Sequence, residues 1–235
     1  MHLFIGQKQD DGLFGLTTEE SHHCIRVTRH KPGDFVMVTD FKGEIWKTII
    51  LDQNGDQVIC KPLEIYKREM SIGGKIHIAI SLTQQSDRFE WFLEKAVETG
   101  IDTITPMVSQ RTENRRDKPE RWSKIIIAAA KQTLRARLPD LQPIQNLEHI
   151  LKTNQIEQRF ICHCENGTEG FLGKLYNPTQ DILVLIGPEG DFTKPEIELC
   201  QSHKFIPVHL GELRLRTETA GLTACIILQT LKNCL

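Results

Sequence analysis

Two segments near the carboxyl end decide the fold: Ile186-Gly187-Pro188-Glu189-Gly190-Asp191-Phe192 and Leu210-Gly211-Glu212-Leu213-Arg214-Leu215-Arg216-Thr217-Glu218-Thr219-Ala220. Each follows a short apolar run of the kind found in buried strands. Glycine lets the backbone approach a bound molecule, and open α/β sheets hold their ligands at the carboxyl ends of strands. We therefore expect the two segments to form one ligand site.

The sequence before these segments alternates between strand and helix patterns. Apolar residues from Phe89 to Val97 recur at the spacing of one helix face, and a second helix is expected from about Pro119. The last helix, from Thr217, is apolar on nearly all sides, which predicts deep burial or a subunit contact. The predicted strands are 76–82, 103–108, 160–164, 181–186 and 206–210. This alternation predicts an α/β domain.

Local signals predict where several helices begin and end. Asp87, with Glu90 three residues on, is expected to cap the first long helix, and Gly100 is expected to end it. The run Thr193-Lys194-Pro195-Glu196 has the pattern of a capping box. Thr217 is expected to cap the last helix.

The amino-terminal part reads as small β structure. Short apolar strands from Phe35 to Thr39 and from Ile45 to Leu51 are followed by the turn Asn54-Gly55-Asp56 and a further strand, 57–60. Asn-Gly between such runs favours a hairpin, and several short strands suggest a compact barrel. We expect one β domain over residues 1–72 and one α/β domain over residues 73–235.

The overall composition argues against a membrane protein, an exported protein and a disulfide-linked protein. The 235 residues are 39% hydrophobic with a net charge of −2, and we find neither a membrane-length apolar run nor an export signal. Seven cysteines at irregular spacing predict reduced thiols, and Cys162-His163-Cys164 is interpreted as a buried strand and not as a metal site. We expect a cytoplasmic protein without a metal or a membrane partner.

A basic stretch runs from Arg111 to Arg137, with nine Lys and Arg against three acidic residues. Such a patch can bind phosphates despite a balanced total charge, although a solvated helix face is the simpler interpretation. The run from His22 to Lys31 fits two interpretations equally well, a nucleic-acid contact and an amphipathic helix.

The two glycine segments do not match the common nucleotide motifs. Neither G-x-G-x-x-G nor G-x-x-x-x-G-K-[ST] is present, and Glu189 would repel a phosphate. Arg214 and Arg216 precede the start of the last helix, whose first amides suit a carboxylate or a developing anion. The residues thus predict a site for a ligand other than a phosphate.

The same strings resemble a known family. Ile186 to Gly190, and Leu210-Gly211 with Leu215 to Ala220, are similar to the cofactor loops of the RsmE-type 16S ribosomal RNA uridine N3-methyltransferases of the SPOUT superfamily. The similarity extends along the chain. It includes His23, Arg29, Gly33-Asp34, Asp40, Gly43, Arg88 to Trp91, Lys95-Ala96, Glu98, Gly100, Gln132, Arg135 and Pro139.

Four positions depart from the family pattern. Asp191 stands where a second glycine is usual, and Lys131 where glutamate is usual. Leu213 takes a common arginine position, and Arg214 a common isoleucine position.

The resemblance implies a PUA-like β-barrel domain that binds RNA and a trefoil-knotted SPOUT methyltransferase domain. It further implies S-adenosylmethionine as methyl donor, a homodimer formed through the knotted domain, and a uridine in the decoding region of small-subunit RNA as target. The cofactor-binding residues that it implies are Ile186, Gly187, Pro188, Glu189, Gly190, Leu210, Gly211, Leu213, Leu215, Thr219 and Ala220.

For catalysis, we expect Arg216, or Arg214 as second choice, to stabilise charge on the uracil oxygens. Glu218 or Glu189 is expected to orient the loops or to accept the N3 proton. Since the base must leave its stack, flanking phosphates need binding groups as well. The residues expected to contact RNA are Arg26, Arg29, Lys31, Arg115, Arg116, Arg121 and Arg135.

Two alternatives stay open at this point. One is a related knotted methyltransferase acting on transfer RNA or on a ribose 2′-hydroxyl. The other is a non-catalytic RNA-binding or ribosome-assembly factor whose glycine loops are only structural turns.

Overall fold

The computed structural model describes residues 2–54, 57–70, 73–164, 168 and 170–234. Its backbone divides into two compact units, Met1–Met70 with Ile127–Leu138, and Ser71–Ile126 with Pro139–Leu235. The return of residues 127–138 to the first unit was not expected from the sequence. The domain limits at residues 72 and 73 stay a prediction, and Ile72 lies outside the described residues.

The first unit contains a five-stranded closed barrel, as predicted. Its strands are β1 (Leu3–Lys8), β2 (Phe14–Leu16), β3 (Phe35–Thr39), β4 (Glu44–Asn54) and β5 (Gln57–Arg68). Parallel pairing of β1 with β3 closes the order β1-β2-β5-β4-β3. Inward-facing side chains such as Phe4, Phe14 and Val38 fill the barrel because strand residues alternate between its two faces.

The turn predicted between β4 and β5 includes Gly55 and Asp56, which lie outside the described residues. The two strands that flank it pair antiparallel, with Asn54 opposite Gln57. This pairing is the one that a hairpin requires.

A short helix follows β2 in the first unit. Helix α1 (Thr18–His22) begins at Thr17, whose hydroxyl accepts a hydrogen bond from the amide of Glu20, and it continues into a π-helical turn over His23–Val27. Most of the predicted basic segment is therefore helical. The other interpretation, a contact with nucleic acid, stays a prediction.

The second unit is built on an eight-stranded sheet. Its strands are β6 (Ile76–Ser81), β7 (Thr103–Val108), β8 (Asp140–Leu141), β9 (Gln145–Asn146), β10 (Gln158–Cys162), β11 (Gly170–Phe171), β12 (Ile182–Ile186) and β13 (Ile206–His209). The order is β11-β13-β10-β12-β6-β7-β8, with β9 also paired to β7, and the pairs are parallel. The predicted α/β class is confirmed.

Helices follow these strands along the chain. They are α2 (Ser86–Thr99), α3 (Pro119–Gln132), α4 (Leu147–Thr153), α5 (Leu172–Leu175), α6 (Lys194–Ser202) and α7 (Thr217–Lys232). Gly100 ends α2 with a φ of 95°, and the capping box of Thr193 and Glu196 begins α6, both as predicted. The cap predicted for α2 was wrong, because the helix begins two residues earlier and Gln85, not Asp87, occupies the N-cap.

The sheet is buried on both faces, as parallel sheets usually are. Successive residues of β12 alternate between two apolar cores, so that Val184 packs with α2 and α7 while Leu185 packs with α4 and α6. Gly221 permits the close approach of α7, since a Cβ there would come within 2.8 Å of the Phe92 ring. One side of α7 is buried as expected, while Ile226 on another side is exposed.

Within the described residues, no helix has the length and apolar character needed to cross a membrane.

Candidate functional site

The loops that carry the predicted site residues follow neighbouring strands of the sheet. Strand β12 pairs with β6 and β10, β6 pairs with β7, and β10 pairs with β13, all in parallel. Their carboxyl ends therefore lie at one edge. Four of the loops that leave this edge cover residues 82–85, 109–118, 187–193 and 210–216.

The two glycine loops are joined directly. The hydroxyl of Thr217, in the first turn of α7, donates a 3.0 Å hydrogen bond to the carbonyl oxygen of Gly187, and the bond is buried. This corrects the predicted role of Thr217 as a cap, because Arg216 occupies the N-cap without a side-chain cap bond. The hydroxyl instead fixes the start of α7 against the loop after β12.

The loop of residues 187–193, hereafter the Gly187 loop, turns tightly over its own apolar residue. A Cβ at Gly187 would come within 3.0 Å of the ring of Phe192, which is buried. The amide of Asp191 donates to the carbonyl oxygen of Pro188 at 2.9 Å, which closes the turn. Gly187 is thus needed for the shape of this loop.

Glu189 binds the loop that follows β6. Its Oε1 accepts a 2.9 Å hydrogen bond from the amide of Gln84, and the side chain of Gln84 donates to Glu113 at 2.7 Å. One of the two roles expected for Glu189, the orientation of loops, agrees with this contact.

The side chain of Glu218 is buried in the first turn of α7, with 7% of its surface exposed. Its Oε1 lies 3.9 Å from Nε of Arg88, and its Oε2 has no hydrogen-bond partner in the described part of the chain. The carboxylate is close to the amino terminus of α7, where backbone amides favour negative charge. Sequence reasoning did not identify Arg88 as its partner, since 130 residues separate them.

The loop after β13 is open to solvent. Gly211 has a φ of 147°, and a Cβ there would meet no atom within 4 Å. Arg214 and Arg216 are exposed, and Leu213 is 82% exposed. Leu210 and Ala220 pack instead against the core of the sheet. The exposed guanidinium groups are accessible to a substrate from outside.

The residues predicted to contact RNA differ in whether they already bind another residue of the protein. In the second unit, Arg115 and Arg116 lie in the loop after β7, and Arg121 makes two 2.7 Å hydrogen bonds to the carboxylate of Glu90. The carboxylate of Glu90 raises the pKa of Arg121. Arg121 therefore has a protein partner, although much of its side chain is exposed.

The other four residues predicted to contact RNA lie in the first unit. Arg26, Arg29 and Lys31 are exposed, and Arg29 adopts a φ of 58°. Arg135 is 8% exposed and donates to Oε1 of Glu69 at 3.1 Å, so its guanidinium is committed to an internal ion pair. This burial speaks against the expected phosphate contact of Arg135.

The segment Cys162-His163-Cys164 is only partly the buried strand that was expected. Strand β10 ends at Cys162, His163 is buried after it, and Cys164 is exposed. Burial raises the pKa of the Cys162 thiol. Across the described residues, His, Cys, Asp and Glu side chains form no group of three that could hold a metal ion.

Comparison with known proteins identifies the family. A family model described as an RNA methyltransferase domain matches residues 70–229, and one described as an RNA methyltransferase PUA domain matches residues 16–63. The chain belongs to the RsmE-type RNA methyltransferases of the SPOUT superfamily.

Individual relatives cover almost the whole chain. A probable rRNA methyltransferase from Porphyromonas gingivalis is 36% identical with a TM-score of 0.90, covering 100% of this chain and 99% of its own. Ribosomal RNA small subunit methyltransferase E from Neisseria gonorrhoeae, bound to S-adenosyl methionine, is 28% identical with a TM-score of 0.85, covering 98% of each chain. The protein of that name from Bacillus subtilis is 27% identical over 93% of this chain and 90% of its own.

One departure from the RsmE-type pattern has a clear structural reason. Asp191 replaces a usual glycine and adopts a φ of 62°, a conformation that glycine adopts without strain and that aspartate tolerates better than most residues. Its Oδ1 accepts from the amide of Phe192 at 2.7 Å, and its Oδ2 from the amide of Cys164 at 2.8 Å. These two bonds offset the conformational strain.

A second departure from the RsmE-type pattern lies in the first unit. Lys131, at a usual glutamate position, forms an ion pair with Glu20, and its ammonium group lies 5.9 Å from the centre of the Phe4 ring. The substitution therefore serves packing within that unit.

Proposed function

We propose that this chain transfers a methyl group from S-adenosylmethionine to N3 of a uridine in the decoding region of 16S ribosomal RNA. The proposal rests on the family, on relatives named as small-subunit RNA methyltransferases, and on the relative bound to S-adenosyl methionine. The structural observation that carries it is the bond between Thr217 and Gly187, which joins the two glycine loops.

The residues at this edge fit the proposed cofactor. Leu210 and Leu215 are partly exposed and offer apolar surface for an adenine ring, whereas Ile186 is buried in the core that supports the loop. The backbone of residues 187–190 and of Gly211 offers polar groups. A Cβ at Gly190 would come within 3.2 Å of Cδ of Arg111, so the absence of a side chain there lets Arg111 lie close to the loop. Pro188, Leu213, Thr219 and Ala220 complete the cofactor-binding set that we propose.

S-adenosylmethionine, when bound, supplies a methyl group on a positively charged sulfur. Glu218 suits that charge, because a buried carboxylate acts at lower effective dielectric than an exposed one. Since Oε2 of Glu218 is closed to solvent, we infer that it acts through its charge and does not take the N3 proton. Glu189, bound to the amide of Gln84, orients the loops.

Activation of the uracil falls to the exposed arginines. N3 attacks only after losing its proton, which leaves a negative charge shared with the carbonyl oxygens. A guanidinium beside those oxygens stabilises the anion and lowers the pKa of N3, so that the proton passes to solvent and the electron pair stays on the ring. We propose Arg216 for this role, with Arg214 as second choice.

RNA contacts are proposed for each unit separately. In the second unit Arg115, Arg116 and Arg121 would bind phosphates, and in the first unit Arg26, Arg29 and Lys31 would do so. We leave Arg135 out of this set because of its buried ion pair with Glu69. Binding through phosphates should weaken steeply as salt rises.

A homodimer is part of the proposal. Helices α2 and α7 pack against each other, and each leaves a large apolar side chain exposed, Trp91 at 41% and Ile226 at 48%. A second copy of the chain would cover such surface. Light scattering should give twice the mass of 26.9 kDa.

One experiment tests the reaction. Small ribosomal subunits from a strain lacking this activity are incubated with the protein and labelled S-adenosylmethionine, and the methylated nucleosides are mapped by mass spectrometry. We expect 3-methyluridine at one position. Label on a ribose hydroxyl or on transfer RNA would show that the substrate is not the proposed uridine N3. A protein that binds RNA without binding S-adenosylhomocysteine would be a non-catalytic factor.

A further inference from the structure

Arg111 makes a contact with the proposed cofactor loop that neither the motifs nor the family resemblance identified. It lies in the loop after β7, and one of its guanidinium nitrogens donates a 2.5 Å hydrogen bond to the carbonyl oxygen of Gly190. Its aliphatic stem lies beside Gly190, since a Cβ on that glycine would approach Cδ of Arg111 to 3.2 Å. One side chain thus both packs on the Gly187 loop and binds its backbone.

A second bond ties the same two loops together. The amide of Gln110 donates to Oε1 of Glu196 at 2.8 Å, and the other oxygen of Glu196 closes the capping box with Thr193. The Gly187 loop is therefore held at its end by Gln110 and near its middle by Arg111. Its beginning is held by Thr217.

The loop after β7 is itself fixed in shape. The amide of Ser109 donates to the hydroxyl of Thr112 at 2.9 Å, and the side chain of Asn114 donates to the carbonyl oxygen of Thr83 at 3.1 Å. Arg115 and Arg116 directly follow Asn114 in this same loop. These bonds limit independent movement within the loop, so that Arg111, Arg115 and Arg116 share one rigid segment.

We propose that Arg111 is a positioning residue that holds Gly190 in the shape required by the cofactor, and that the loop of residues 109–116 thereby couples RNA binding to cofactor binding. This inference rests on the proposed function. The coupling is reciprocal: RNA that engages Arg115 and Arg116 tightens cofactor binding, and bound cofactor tightens RNA binding by the same factor.

The test compares Arg111→Met with Arg116→Met in the full chain. Methionine keeps the aliphatic stem of Arg111 and removes the donor, while the second variant removes an equal charge from the same loop without touching Gly190. Hydrogen exchange of residues 187–193, without any ligand, should be faster in Arg111→Met only. S-adenosylhomocysteine, measured by calorimetry, should bind about tenfold more weakly to Arg111→Met, since a hydrogen bond from a charged donor is lost.

Coupling is measured by repeating the calorimetry with a saturating RNA fragment of the decoding region. In the wild type the RNA should strengthen binding of S-adenosylhomocysteine. In Arg116→Met the RNA affinity should fall and the strengthening should be reduced, while the cofactor affinity without RNA stays unchanged. In Arg111→Met the strengthening should disappear. Partial recovery in Arg111→Lys would support the hydrogen bond as the cause.

Equal hydrogen-exchange rates of residues 187–193 in Arg111→Met and wild type would overturn the positioning role, whichever ligand the loop binds. Equal cofactor affinity with and without RNA in the wild type would overturn the coupling. A wild-type protein that binds no S-adenosylhomocysteine would instead remove the proposed function, and the exchange measurement would still decide the role of Arg111.

Discussion

Thr217 donates its hydroxyl hydrogen to the carbonyl oxygen of Gly187 across 3.0 Å, in a buried setting. The two residues are 30 positions apart, at the start of the last helix and at the end of a central strand. Their bond fixes the relative position of the two loops on which the proposed cofactor site depends.

Replacement of Thr217 by valine should therefore weaken both folding and cofactor binding. Valine has nearly the same shape but no hydroxyl, and a buried hydrogen bond lost in this way costs about 1 to 2 kcal/mol in the free energy of unfolding. Calorimetry should show weaker binding of S-adenosylhomocysteine. Thr217→Ser keeps the hydroxyl and serves as the control; equal losses in both variants would exclude the hydrogen bond as the cause.

Substitutions at Asp191 should separate backbone strain from side-chain bonding. Alanine loses both bonds and keeps the strained φ of 62°, so we expect a loss of about 2 kcal/mol in unfolding free energy. Glycine loses the bonds but is unstrained, and asparagine tolerates this conformation and keeps one acceptor. Thermal or urea unfolding should rank asparagine above glycine and glycine above alanine. If alanine were as stable as glycine, the left-handed backbone would carry no strain.

Much of this architecture is visible in the sequence because its signals are local. Gly100 ends its helix, Thr193 and Glu196 form their capping box, and the apolar runs before the glycine loops are strands. Each feature depends on residues within one or two turns of chain. The match of the glycine strings to a known family supplied what local physics does not, namely the methyl donor and the proposed target.

Features that depend on distant residues were not predictable in the same way. The sequence shows Thr217 as a possible cap, yet its hydroxyl binds Gly187, and Arg88 and Glu218 approach each other from helices far apart in the chain. The assignment of residues 127–138 to the first unit was not predictable for a similar reason. The apolar face of α3 continues from Trp122 to Ala129 without interruption, so nothing in the pattern marks the change of unit.

The partly buried histidine of β6, His77, should make stability depend on pH. Burial lowers the pKa of His77 from 6.5 to about 4, against an opposing effect of Asp140, and its Nε2 pairs with the hydroxyl of Thr105 at 2.7 Å. Between about pH 4 and pH 6.5, His77 is protonated in the unfolded chain but neutral in the folded chain. Stability should therefore fall as the pH drops from 6.5 to about 4, by up to about 3 kcal/mol, and this contribution should stay constant at lower pH.

The variant His77→Gln isolates this contribution, since glutamine does not titrate and can still pair with Thr105. Urea unfolding at a series of pH values should give a shallower slope for the variant between pH 4 and 6.5. Parallel curves for the two proteins would assign the pH dependence to other groups.

The proposed role of Arg216 gives a distinct pH signature for catalysis. If its charge lowers the pKa of uracil N3, then Arg216→Ala should reduce kcat at neutral pH by about 100-fold, comparable to the loss of one donor to a developing anion. The deficit should shrink as the pH rises, because hydroxide then removes the proton without help. Single-turnover rates between about pH 6 and pH 10 measure this, and calorimetry with S-adenosylhomocysteine should show unchanged cofactor affinity. Arg214→Ala is the matched control on the same exposed loop; if it shows the larger deficit and the stronger recovery with pH, the uracil faces Arg214, and a deficit that is constant with pH in both variants would remove both arginines from the activation of N3.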